Sequence, residues 1–267
     1  MKRLLITSPQ GYAERLLKAF GSGNTDGEFE VTSIPMIQTV IHTSSEEFVR
    51  FISKLTDYDY VAFSSRKAIE ALAAYVEAQG IELNSQVKWC AIGKDNEALS
   101  TLLHVEPAFI AEEPSPMGIV HELAAIEGIA GRRIAVLAPK VVGMEEPHIV
   151  PDFIACLERI GMQVDRITAY HTLAASSHDL QHARCMMEQG QIDAIVFTSG
   201  TEIQMLLRTL PQGMDANTFL KDINIICYGP YTASCAQNLG LKVDFTSPRF
   251  GSFQQLVEEM IGYEARG

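Results

Sequence analysis

The chain has 267 residues, 47% of them hydrophobic, with 33 acidic against 21 basic side chains and a formal charge of -12. That length allows one large or two medium domains. That charge excludes a nucleic-acid or anionic-membrane surface, which needs a basic patch, but not a small anion held by backbone dipoles. Cys90, Cys156, Cys185, Cys227 and Cys235 are scattered without a C-x-x-C and read as reduced thiols of a cytoplasmic protein. Lys2-Arg3 leads into too short an apolar run for a signal peptide, and no run approaches a membrane span.

In chain order, Arg3 to Thr7 predicts a strand, Thr7-Ser8-Pro9 a turn and Ala13 to Phe20 a helix. The Gly21 to Gly27 segment predicts a loop. Phe29 to Ile34 predicts a strand running on through Pro35 into Ile37 to Ile41, and the proline favours an edge or linking strand. A helix over Glu46 to Leu55 precedes a strand at Tyr60 to Phe63, a Ser64-Ser65 turn, and a helix burying Ile69, Leu72, Ala73 and Val76. Gly80 stands where a left-handed cap belongs. Val87 to Ile92 predicts a strand ending at Gly93, Asn96 to Leu103 a helix, Val105 to Ile110 a strand, and Met117 to Ala125 a helix.

Arg133 to Ala138 restarts the pattern, with a loop over Pro139 to Val150, a helix at Phe153 to Ile160 and a strand from Gln163 through Thr172. His178 to Glu188 predicts a helix. The stretch "IDAIVFTSGTEIQMLLRTL", Ile192 to Leu210, then reads as buried strand, small polar turn and helix, with Ser199 and Glu202 spaced as a capping box. Such a turn aims unpaired N–H groups and a positive dipole end beyond the sheet. Asn224 to Tyr228 predicts a strand, Thr232 to Leu239 a helix and Lys242 to Phe245 a strand. A last helix starts at Ser252 and buries Phe253, Leu256, Val257 and Met260. The alternation gives an α/β class with parallel sheets.

The chain also repeats itself. "RLLIT" parallels "RIAVLA", "IPMIQT" parallels "ITAYHT", "VAFSS" parallels "IVFTS" and "CAIG" parallels "ICYG", in one order and at nearly one separation. An internal duplication implies two lobes, and the best pocket of a two-lobed protein lies between them. Four turns compete to line it: Ser64-Ser65, Gly93-Lys94, Thr198-Ser199-Gly200 and Gly229 to Thr232.

Catalytic signatures such as G-x-S-x-G, the P-loop, G-x-G-x-x-G and H-E-x-x-H are absent. His178 and His182 share a helix face without a carboxylate in ligand register, which favours solvation over a metal. Cys185 lacks an activating base, and Glu145-Glu146 reads as a solvated loop pair. Hydroxyls, helix N-termini and tyrosines around a cleft suit a polyanionic organic ligand whose reaction needs positioning. A non-catalytic two-lobed binding or regulatory protein for an anionic metabolite stays open on these residues alone.

"YDYVAFSSRKAIEAL", "VDRITAYHT", "DAIVFTSG" and "YGPYTASCAQNLGLKVDF" together resemble the uroporphyrinogen-III synthase family over essentially the whole chain. The resemblance implies a cyclising lyase with no cofactor and no metal. It would convert the linear tetrapyrrole hydroxymethylbilane to uroporphyrinogen III, losing water and inverting ring D through a spiro intermediate. A divergent inactive paralogue is the other outcome it leaves.

The resemblance further implies two flavodoxin-like lobes. Residues 1-35 with 173-267 would form the first, 41-166 an inserted second, and 36-40 with 167-172 two linker strands. Tyr170 would donate a proton or hydrogen bond to the departing hydroxyl. Thr198, Ser199, Gly200, Gly229, Tyr231 and Thr232 would bind substrate carboxylates from one lobe, and Ser64, Ser65 and Gly93 from the other, with Arg66, Lys94 and Lys140 beside them. A monomer receiving substrate from hydroxymethylbilane synthase is expected. Three positions depart from the family pattern: Ser8 stands where an arginine is common, Asp95-Asn96 where threonine-alanine is usual, and Pro139-Lys140 replaces a basic-glycine turn.

Overall fold

A computed structural model describes residues 1–23, 27–83 and 86–264. The chain runs β1 (Lys2–Ile6), α1 (Gln10–Gly23), β2 (Phe29–Ser33), β3 (Ile37–Ile41), α2 (Glu46–Ser53), β4 (Tyr60–Phe63), α3 (Arg66–Gln79) and β5 (Lys88–Cys90). It continues with α4 (Asn96–Ala98), α5 (Pro116–Ala124), β6 (Arg133–Val141), α6 (Ile149–Arg159), β7 (Gln163–Ala174) and α7 (Ser177–Glu188). β8 (Ala194–Phe197), α8 (Gly200–Thr209), α9 (Ala216–Phe219), β9 (Asn224–Cys227), α10 (Pro230–Asn238), β10 (Phe245–Thr246) and α11 (Phe253–Glu264) complete it.

These elements form two compact units. One comprises Met1–Gln38, Gly143–Glu145 and Leu173–Gly267, the other Thr39–Val142 and Glu146–Thr172. Each unit is built on one five-stranded sheet, of order β10-β9-β8-β1-β2 in the first and β3-β7-β6-β4-β5 in the second. In the first, β1 pairs in parallel with β2 and β8, and β9 with β8 and β10. From β2 across, the strands come second, first, third, fourth and fifth in that unit's own order, the flavodoxin-like winding. The second sheet repeats this from β5 to β7, and its last edge is filled by β3, which precedes the rest in sequence. In such sheets the crevice for ligands opens past the carboxyl ends where the winding reverses. Those places are β1/β8 in one unit and β4/β6 in the other.

Both sheets are covered on both faces, which is why their central strands are continuous apolar runs rather than alternating ones. All four residues of β4 and of β8 are buried. In the first unit Leu16 and Phe20 of α1 and Leu256 and Val257 of α11 pack on one face. Ala183 of α7, Ile203 and Leu206 of α8 and Ala236 of α10 pack on the other. In the second unit α2 and α3 bury Phe48, Phe51, Ile69 and Leu72 on one face, while α5 and α6 bury Ile119, Leu123, Phe153 and Leu157 on the other.

The departures from expectation are local. α1 runs on to Gly23, so the Gly21 to Gly27 loop begins later than expected, and 24–26 lie outside the described residues. No strand forms over Val105 to Ile110. Only Pro107 bridges to Trp89, and its missing N–H denies the run one ladder donor. β6 does not end at Ala138 but continues through Pro139 and Lys140 to Val141, because a register shift opposite Ala169 absorbs the proline. The helix at Asn96 makes three α residues and then a π-helical turn, Leu99–Leu103. β10 shortens to Phe245–Thr246.

Candidate active site

At the carboxyl end of β8 the capping box expected of Ser199 and Glu202 takes another form. Ser199 is the N-cap of α8, at φ -150 and ψ 158, but its side chain caps no N–H. Instead Glu202, with no solvent exposure, gathers the surrounding polar groups. Its Oε1 accepts from Thr198 Oγ1 at 2.6 Å and from Ser199 Oγ at 2.9 Å. Its Oε2 accepts from the Thr198 N–H at 2.9 Å and lies 2.7 Å from Thr7 Oγ1. Ser8 Oγ, fully buried, lies 3.1 Å from Thr198 Oγ1. Burial pushes the Glu202 carboxyl above its ordinary pKa, and the bonds from Thr198, Thr7 and Ser199 oppose this without cancelling it.

The neighbouring turn after β9 joins this one. Thr232 Oγ1 donates to the Thr198 carbonyl at 3.2 Å. Gly229, the N-cap of α10, is closely approached: a Cβ there would stand 3.0 Å from both Cβ and Cγ of Phe250, which would have to give by a few tenths of an ångström. Pro230 fills the first helical position, where the missing N–H costs nothing. Tyr231 is exposed. Thr198, Ser199 and Gly200 thus close the strand at which the winding reverses, and Thr232 ties the next turn, which begins at Gly229, to them.

In the second unit Ser64 donates to the Leu137 carbonyl at 3.1 Å, tying the β4 turn to β6. Ser65, the N-cap of α3, is extended at φ -170 and ψ 161 and again caps no N–H. Its Oγ lies 2.9 Å from the Tyr170 hydroxyl. The Tyr170 ring is buried in the hydrophobic core of this unit, so it does not stand open over the turn. Its pKa is pushed up to about 12, first by burial and then by Asp95 and Glu70, while the Ser65 bond works the other way. The phenol therefore stays protonated at any physiological pH.

Arg66 is held by Glu70 at 3.5 Å and Asp95 at 3.9 Å, so part of its charge is spent within the unit. Gly93 takes φ 49 to open the next turn, Lys94 is exposed, and Asn96 folds back to donate to the Gly93 carbonyl at 2.8 Å. Lys140 lies on β6 opposite His171 of β7, not in a loop. The His171 ring lies against that of His42, tilted by 30° with centroids 4.5 Å apart.

The three helix starts at these carboxyl ends share a feature. Ser65, Ser199 and Gly229 are extended N-caps without a side-chain acceptor. Ser45, Ser115, Ser176 and Asp215, which start α2, α5, α7 and α9, each accept an N–H of their own helix. The hydroxyls of Ser64, Thr198, Ser199 and Thr232 meanwhile donate to partners inside their own unit. What these turns offer a ligand is chiefly backbone N–H and the positive helix end.

Two residues of the site escaped sequence reasoning, Glu202 as more than a cap and Ser8 as more than a lost arginine. The available signal was the pairing of "ITS" after β1 with "FTS" after β8. Among the described residues no group of three His, Cys, Asp or Glu side chains is placed to hold a metal, and His178 and His182 stand with ring centroids 6.1 Å apart. No helix of the described residues is long and apolar enough to cross a membrane.

The family model for uroporphyrinogen-III synthase HemD matches residues 24–256. The chain belongs to the uroporphyrinogen-III synthase family. Its reaction is thus that of a cyclising lyase of porphyrin biosynthesis, hydroxymethylbilane to uroporphyrinogen III with loss of water, rather than non-catalytic binding. Among solved structures it is similar to a mutant uroporphyrinogen III synthase from Thermus thermophilus, with a TM-score of 0.65 at 15% identity over 98% of this chain and 100% of that one. At that identity the likeness speaks for the fold. The wild-type enzyme of the same organism aligns over 99% of this chain at 17% identity, with a TM-score of 0.48. No curated protein matches significantly.

Proposed function

We propose that the chain carries out this cyclisation by receiving the substrate's carboxylates at the uncapped turns and protonating its departing hydroxyl through Ser65 and Tyr170. The observation that carries this reading is the 2.9 Å contact between the Tyr170 hydroxyl and Ser65 Oγ, on a helix start without a cap. Ser65 is half-buried and Tyr170 buried, so Ser65 meets the substrate. It gives its proton to the leaving oxygen as the C–O bond breaks, and the phenol behind it resupplies that proton. The carbon that later closes the ring gives up a proton, which balances the one lost with water.

An acidic chain can hold a polycarboxylate this way, since helix N-termini attract anions without a basic patch. Thr198, Ser199, Gly200, Gly229, Tyr231 and Thr232 form one set of such contacts, and Ser64, Ser65, Gly93, Arg66, Lys94 and Lys140 the other. The repeated strand order supports an internal duplication. The chain passes between units on either side of Gly143–Glu145, and also at Gln38–Thr39 in β3 and Thr172–Leu173 in β7, and these two strand crossings support reading β3 and β7 as the linker. The same reading makes the protein a cytoplasmic monomer supplied by hydroxymethylbilane synthase.

The test is a coupled assay with porphobilinogen and its deaminase, followed by oxidation and separation of isomers. Type III porphyrin is expected; type I alone refutes the reading.

A further inference from the structure

We propose that Glu202 is a neutral carboxylic acid at physiological pH and a positioning residue for the reaction, keeping the start of α8 positive toward the anionic substrate. The inference rests on the reading that the β8–α8 turn receives a substrate carboxylate. The first argument is a count of protons. Thr7 Oγ1 has one proton but two close oxygen neighbours, the Val196 carbonyl at 2.9 Å and Glu202 Oε2 at 2.7 Å. The carbonyl only accepts. Both contacts are full hydrogen bonds when Glu202 Oε2–H donates to Thr7 Oγ1 and Thr7 donates to Val196. An ionised Glu202 leaves one of them without a proton.

The donors from Thr198 and Ser199 favour the ionised form, and burial outweighs them. Thr198 Oγ1 and Ser199 Oγ donate to Oε1, Ser8 supplies Thr198 from behind, and Thr201 Oγ1 lies 3.1 Å from Ser199 Oγ. The protons of Thr198, Ser199 and Ser8 then point into the turn, while that of Thr7 points to Val196. The side chain is fully buried, and burial favours the neutral form. Few charges face it. β1 presents Thr7 and Ser8, β8 presents Thr198, and β9 presents the Cys227 thiol, with Cys235 of α10 beyond it. On α7, Asp179 is engaged with Ser176 and Arg184 with Glu188.

The consequence for the reaction is electrostatic. A carboxylate here would cancel the positive helix end and repel the incoming carboxylate. The protonated group keeps the turn rigid and leaves that end its sign. As pH rises through the folded-state pKa of Glu202, the turn becomes negative and substrate binding weakens.

The experiment follows KM from about pH 6 to about pH 9 in wild type, Glu202→Gln and Glu202→Asp, alongside infrared spectra of the same proteins. The amide of Glu202→Gln is neutral at every pH: its nitrogen in the place of Oε2 donates to Thr7 and its oxygen in the place of Oε1 accepts from Thr198 and Ser199, at the loss of the Thr198 N–H bond. The shorter Glu202→Asp reaches neither set. The expected result is ~10-fold higher KM in Glu202→Asp, from the lost hydrogen bonds, with Glu202→Gln within ~3-fold of wild type. Wild-type KM should climb with pH and that of Glu202→Gln should not. A protonated-carboxyl band should be present in wild type at neutral pH, absent in Glu202→Gln and lost as pH rises. Absence of that band in wild type overturns the inference at Glu202 itself. A band that titrates while KM stays flat overturns it differently, by showing that no substrate carboxylate meets this turn.

Discussion

Replacing Tyr170 by Phe removes one oxygen and leaves the ring in its core position. What is lost is the 2.9 Å contact with Ser65 Oγ. A neutral hydrogen bond of this kind contributes about 1 kcal/mol net, and half-buried Ser65 can take a water instead, so stability should fall by about 1 kcal/mol or less. The effect on rate is of another size, since a positioned proton donor contributes about 10²–10⁴-fold. kcat should fall by roughly that factor with KM nearly unchanged, because no carboxylate contact is touched. If Tyr170 acts through Ser65, then Ser65→Ala and the double variant should be about as slow as Tyr170→Phe alone, a coupling as large as either single effect, roughly 3–5 kcal/mol. The measurements are initial rates of type III isomer formation and urea unfolding on all four proteins. A Tyr170→Phe enzyme of wild-type rate, or two substitutions whose effects simply add, would refute the relay.

Gly229→Ala should destabilise by about 1–3 kcal/mol, as overpacking does, because its Cβ would press on Phe250 at 3.0 Å; urea unfolding gives the number, and no change would mean Phe250 moves freely. Tyr58 and Tyr170 are both pushed up to about 12, chiefly by burial. Their native forms hold protons the unfolded chain releases near pH 10, so this stability is full below pH 10 and lost as pH rises through about 12. Thermal melts of wild type and Tyr58→Phe across that range should converge. Asp193 is held below the usual carboxylate range, first by the Arg3 side chain. Its contribution is present above about pH 4 and lost as pH falls through the lower folded value. Asp193→Asn should flatten the acid limb of stability, and an unaltered limb would count against the Arg3 pairing.

Much of the fold was legible because strand-turn-helix units announce themselves. Tyr60 to Phe63 and Ala194 to Phe197 are short apolar runs closed by small polar residues, and a helical period follows each. Gly80 was readable as a left-handed cap for the same local reason, and takes φ 61. What local pattern did not reveal was settled by distant partners. Pro139 looked like the end of a strand, but an extra residue across the ladder in β7 let β6 continue. Val105 to Ile110 looked like a strand, but Pro107 removes a donor and only one bridge forms. Glu202 looked like the capping-box partner of Ser199, because nothing beside it in sequence reports that Thr7 approaches its other oxygen.

The separation between strands β1 and β8 governs how the first unit can be made. Arg3 donates its backbone N–H to Asp193 across 190 residues of sequence. At about 5–20 residues per second, a ribosome needs about 10–40 s to deliver the partner strand after β1 has emerged. Throughout that interval β1, α1 and β2 have no third strand and expose an apolar sheet edge, a state prone to association. The intervening unit draws its sheet from residues already made and is free to fold meanwhile. Lesions that slow synthesis or weaken early chaperone binding should therefore lower the yield of active protein without altering its final stability, a defect of birth rather than of structure.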